Sequence, residues 1–75
     1  MTKTELKKIH LKPKKILKKE RLAKDYSVTS MALLIGVNRN QYRAKELGEV
    51  PFTDYEIKII STELGLPIEY LFFID

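Results

Sequence analysis

Between Ser27 and Pro67 the chain is cut so often by helix starts and stops that no regular element within it can be long. Ser27, Asn38 and Thr53 are residue types whose side-chain oxygens accept from the freed amides of a first helical turn. Gln41 and Glu56, each three residues beyond such a start, have the spacing that completes a capping box. Gly36 and Gly65 supply stops, Gly65 as a left-handed one, and Gly48, Pro51 and Pro67 add further breaks. No stretch sustains the alternation of a strand. The pattern therefore predicts an all-α fold, a bundle of about five short helices.

The apolar spacing says which faces turn inward. Pro13 is suited to the first position of a helix that runs through the lysine-rich segment to about Lys24, with Ile16, Leu17 and Ala23 as its apolar side. Val28, Met31, Ala32 and Ile35 recur at i, i+3, i+4 and i+7 after the Ser27 start, and Val37 follows the glycine as an apolar plug. The segment Asn38 to Gly48 is far more polar, with Tyr42 as its inward anchor and Arg39, Asn40, Arg43 and Ala44 free to point outward. So polar a helix buries little alone, so its neighbours must hold it in place. Ile57, Ile60 and Leu64 line the next helix, and Ile68, Leu71 and Phe72 a last short turn. Residues 1–12 form either a basic arm or a short helix, the latter because Thr2 and Glu5 have capping-box spacing and Leu6, Ile9 and His10 share a face. Residues 13–75 make up the domain.

Seventy-five residues hold one core, and a chain this short depends on close helix packing or on a partner chain when no staple is present. With no cysteine there is no disulfide, no thiolate for zinc and none for nucleophilic catalysis. The longest apolar run, Met31–Val37, has seven residues against the roughly 20 that span a bilayer. His10 is the single histidine and has no acid cluster beside it, phosphate-binding glycine loops are missing, and the carboxylates suit caps and surfaces. An enzyme, a metal site and a cofactor are therefore not expected.

Charge is divided unevenly. Residues 1–24 carry nine lysines and Arg21 against Glu5 and Glu20, a net of +8, and the remaining residues carry a net of −4. Such a split suits a polyanion-binding arm or face attached to a body that repels polyanions elsewhere.

A capped helix, a short break at glycine and a polar second helix describe a helix-turn-helix unit. From Ser27 the segment SVTSMALLIGVNRNQYRAKELG resembles the Cro/repressor helix-turn-helix family. Ala32 takes the small-residue place of that family, Gly36 the turn, Val37 the plug, Tyr42 the anchor of the recognition helix, and Glu46 with Gly48 its terminal E-x-G. The stretch FTDYEIKIISTELGLPIEYLFF, residues 52–73, looks like the closing helices of small phage-type members. The resemblance covers about residues 14–73. It implies a transcriptional regulator of phage or mobile-element type that binds double-stranded DNA in the bacterial cytoplasm, associated with the nucleoid.

The resemblance also implies roles for particular residues. Arg21 and Glu46 fall where related repressors carry a paired arginine and glutamate, so an ion pair between the first helix and the recognition helix is expected. Arg39 and Asn40 match base-reading positions, Ala44 can meet a thymine methyl, and Arg43, Lys45 and Gln41 are further candidates, with Gln41 also committed to the cap. Ser27, Thr29, Lys14, Lys15 and Lys18 complete the expected DNA-facing set. The chain departs from the family at Val28, where a glutamine is frequent, at Glu49 and Asp54, where cations often follow the recognition helix, and at Lys45, a place frequently apolar. Phosphate neutralisation supplies most non-specific affinity, so the N-terminal lysines must replace the missing loop cations.

A homodimer through Leu71, Phe72 and Phe73 would match the two-fold symmetry of this family's sites. The rival reading is a protein-binding module, such as an antirepressor, that keeps the fold and exchanges DNA for a protein partner. A membrane-surface helix in the basic segment is disfavoured by Pro13 and a thin apolar face.

Overall fold

The computed structural model describes residues 12–74, and the expectations for the Thr2–Glu5 box, the face of Leu6, Ile9 and His10, and Lys3, Lys7 and Lys8 lie outside them. The described residues form five α-helices: α1 Lys15–Ala23, α2 Val28–Ile35, α3 Arg39–Glu46, α4 Asp54–Leu64 and α5 Ile68–Phe72. Among the described residues there is no strand, and the chain is all-α.

The boundaries follow the punctuation closely. Ser27 Oγ accepts from the Ser30 amide to start α2. Asn38 accepts from the Gln41 amide while Gln41 Oε1 accepts from the Asn38 amide, and Thr53 and Glu56 make the same reciprocal pair at α4. Gly36 (φ +75°) and Gly65 (φ +68°) end α2 and α4 in the left-handed region that other residues enter at a cost. One start differs from expectation. Pro13 precedes α1 by two residues, because the Lys14 amide donates to the Glu46 carbonyl at 2.8 Å; Lys14 is the N-cap, and Lys15, not Pro13, takes the first helical position.

α3 lies between α1 and α2, α4 packs on α2, and α5 closes the bundle against α1 and α4. Leu17, Met31, Ala32, Ile35, Tyr42, Ile60, Leu64, Leu71 and Phe72 form the core. Phe52 bridges its aromatic part, edge-on to Tyr42 at 6.1 Å and to Phe72 at 5.2 Å. On α1 the expected apolar side is narrower than its sequence suggested: Leu17 is buried, Ile16 half-buried and Ala23 exposed, while Arg21 turns inward. The proposed dimer face is corrected more sharply. Leu71 and Phe72 are 1% and 4% exposed because α5 packs them against α1 and α4, which leaves Phe73 of that trio outside.

Candidate nucleic-acid interface

α3 is held by buried polar bonds as well as by the packing of Tyr42 in the core. Tyr42, Lys45 and Glu46, spaced i, i+3 and i+4, form its inner face, and two of the three are charged. Glu46 receives a two-pronged contact from Arg21, with Nε donating to Oε2 at 3.0 Å and Nη2 to Oε1 at 3.1 Å. The Tyr42 hydroxyl donates to Oε2 at 2.7 Å, and Arg21 Nη1 reaches the Tyr26 carbonyl at 2.8 Å. This single cluster joins α1, the turn before α2, and α3. Among the described residues no buried side-chain nitrogen or oxygen lacks a partner, as burial of such groups requires. Burial pushes the Tyr42 hydroxyl far above the usual tyrosine range, and its bond to Glu46 adds to the shift. Burial opposes the Arg21 charge, yet the Glu46 carboxylate more than offsets this and holds the guanidinium protonated.

Lys45 is corrected from a DNA-facing residue to a buried one. Its ammonium donates to Glu56 Oε1 at 2.7 Å and to the Pro51 carbonyl at 3.2 Å, and it sits 5.9 Å from the centre of the Phe52 ring. Burial raises the Glu56 carboxyl, but the bonds from Lys45 and the Thr53 amide outweigh it and hold the group below the usual range. The sequence carried one signal of this: a lysine at a position where the resembling family is frequently apolar. Its partner was hidden, since Glu56 has a sufficient local job in the capping box.

The outer face of α3 is free of the core. Arg39, Asn40, Gln41 and Arg43 are exposed and Ala44 is half-buried. Helical spacing sets Arg39 and Arg43 one turn apart, with Arg43 in the cleft beside α1, and Asn40 and Ala44 one turn apart on a neighbouring ridge. The second ridge borders an open depression shared with Val37 and Val50. Gln41 has its side-chain oxygen spent on the cap and only its amide nitrogen left. Ser27 likewise has its hydroxyl engaged with Ser30, and Thr29 is exposed beside it.

On the α1 side, a cleft is lined by Lys14, Lys15, Lys18 and Arg43, with the Arg21–Glu46 pair in its wall. Of the expected cations, Lys15 and Lys18 are exposed and Lys14 half-buried. The structure thus brings α1 lysines and an α3 arginine to one place, which no spacing in the sequence revealed. Glu49, between α3 and α4, and Asp54, the first residue of α4, are exposed and lie outside this cleft's lining.

No family of known proteins, no characterised protein and no solved structure matches this chain. Among the described residues no helix is long and apolar enough to cross a membrane.

Proposed function

We propose that this chain is a sequence-reading double-stranded DNA-binding domain of a transcriptional regulator, with α2, the Gly36-Val37-Asn38 turn and α3 acting as a helix-turn-helix. The observation that carries the reading is the outer face of α3. Arg39, Asn40, Arg43 and Ala44 project from a helix whose opposite face is fixed by buried hydrogen bonds, so polar groups that read base edges are held on a rigid support. The basic cleft beside this face gives a polyanion somewhere to continue, and the acidic charge of the chain lies mainly in α4, α5 and the segments around them.

In this reading Arg39 pairs with a guanine and Asn40 with an adenine edge, while Lys15, Lys18 and Arg43 approach the phosphates. Gln41 contributes through its amide nitrogen at most. Lys45 has no part in it. The test is selection from a random duplex library followed by a salt titration of the selected site. An Arg39→Ala variant should lose about 1–3 kcal/mol of discrimination at one base position and keep the rest of the preference. Failure to bind any duplex at low salt, with the fold intact, would overturn the proposal and leave the polar face of α3 to a protein partner.

A further inference from the structure

Just before α1 the chain runs past an apolar groove. The Lys12 backbone lies against Gly48, close enough that a Cβ on that glycine would stand 2.5 Å from the Lys12 carbonyl carbon. Gly48 and Lys14 line a groove together with Val50, Pro51, Phe52, Ile57, Phe72 and Phe73. Val50, Pro51 and Phe73 are exposed. The other charged side chain in the lining, Lys45, has its ammonium committed to Glu56 and the Pro51 carbonyl. The groove is therefore apolar surface left in water, beside the place where the chain preceding Lys12 must pass.

Size and reach narrow the choice of occupant. At ≈ 130 Å³ the groove is well below the roughly 300–1,000 Å³ of pockets that enclose whole small-molecule ligands. It has the room of about four waters, which is also that of one aliphatic side chain. Consecutive Cα atoms are about 3.8 Å apart, so Leu11 must lie within one residue of the point where Lys12 meets Gly48. Charge favours the same segment. Residues 1–11 carry Lys3, Lys7 and Lys8 against Glu5, a net of +2. Glu49 stands in the chain between the lining residues Gly48 and Val50, and Asp54 lines an adjoining depression that shares Ile57 and Phe73 with the groove. Both carboxylates are exposed, and neither is in a salt bridge among the described residues. A tethered segment is also presented at about millimolar effective concentration, which a second copy in dilute solution does not approach.

We propose that this groove is the seat of the chain's own N-terminal segment, residues 1–11, with Leu11 as the side chain that enters it. Leu11 then takes the apolar surface of Val50 and Phe73 out of water, and the lysines of the segment offset Glu49 and Asp54. The α3–α4 segment is tied to the start of the chain in this way, and the apolar face that α5 leaves open is withheld from a second copy. The seat is independent of what the outer face of α3 binds.

The experiment uses the full chain with labelled leucine methyl groups, and the variants Leu11→Ser and Phe73→Ser, Phe73 being exposed. Nuclear Overhauser contacts from the Leu11 methyls to the Phe52 and Phe73 rings and to the Val50 methyls are expected, unchanged by dilution. In Leu11→Ser the amide shifts should gather at residues 11–14, 48–52 and 72–73. Hydrogen exchange at the Glu49 and Val50 amides, which donate to the Ala44 carbonyl, should quicken about tenfold there, the factor expected when one aliphatic side chain leaves an apolar seat. Phe73→Ser should move the Leu11 methyl resonances while those of the core leucines, Leu17 and Leu64, stay in place, which separates loss of the seat from loss of the fold. Leu11 contacts to residues outside the groove, or no contacts at all, overturn the proposal. Contacts to the groove that fade on dilution, as the sedimenting mass falls from dimer to monomer, overturn it as well and give the groove to a second copy.

Discussion

Removing the Glu46 carboxylate should unfold this protein more effectively than any other single loss of a polar group. In Glu46→Leu, Arg21 loses both carboxylate bonds and the Tyr42 hydroxyl loses its acceptor. The two charged side chains are only 5% and 9% exposed, so water replaces those bonds poorly. Stranding one member of a buried pair costs about 3–5 kcal/mol, whereas an exposed pair is worth about 1 kcal/mol or less. A chain of 75 residues has a total stability of only about 4–11 kcal/mol, so the loss is a large part of the whole. In a domain of this size it lowers Tm by more than about 12 °C. Urea unfolding followed by far-UV circular dichroism measures the cost, and Tyr42→Phe, which removes one bond and keeps the pair, should cost about 1 kcal/mol. The triple change Arg21→Met, Glu46→Leu and Tyr42→Phe replaces the polar cluster by apolar groups and should recover at least half of the single variant's loss. A cost below about 1 kcal/mol for Glu46→Leu, or a triple variant less stable than it, would refute this account of how α3 is held.

Backbone geometry and pH provide two further tests. Gly48 has φ +84°, and a Cβ there would lie 2.5 Å from the Lys12 carbonyl carbon, whereas at Gly36 (φ +75°) a Cβ would meet nothing within 4 Å. Thermal unfolding should therefore show Gly36→Ala losing only the left-handed penalty of about 1–2 kcal/mol, and Gly48→Ala distinctly more, because backbone must move; equal losses would contradict the close approach of Lys12. Glu56 is held below its usual range by Lys45 and Thr53, so its contribution is present above the unfolded value of about 4.3 and disappears as pH falls through the lower folded value. Urea midpoints measured across that acid range should fall less steeply with pH for Glu56→Gln, and an identical acid limb would remove the Lys45–Glu56 pair from the stability of α3.

Local chemistry made most of the fold legible. A side chain that caps a helix reaches only two or three residues along the chain, so Ser27, Asn38–Gln41 and Thr53–Glu56 announced the starts of α2, α3 and α4. The i, i+3, i+4 spacing of Met31, Ala32 and Ile35 announced the buried side of α2 for the same reason. Residues that satisfy one role locally and another at a distance were read only in part. Glu56 completes its box and also receives Lys45. Pro13 has the φ for a first helical turn, yet the amide of Lys14 is drawn to Glu46, more than 30 positions away in the chain. Leu71, Phe72 and Phe73 are equivalent as types, and only the packing of α5 on α1 and α4 buries the first two and leaves the third exposed.

The sequence by itself determined that the chain is helical, where the helices of its middle begin and end, and that its positive charge gathers toward one end. Each of these depends on interactions within a turn or on a simple sum. The tertiary structure decided which cations remain available. It withdrew Lys45 into a buried pair with Glu56, it buried the Arg21–Glu46 pair that the resemblance implied, and it set Lys14, Lys15 and Lys18 beside Arg43. That sorting needs the distances between helices far apart in the chain. A charge costs little to leave in water and much to bury alone, so a lysine or arginine goes inside only where a distant carboxylate is brought to meet it.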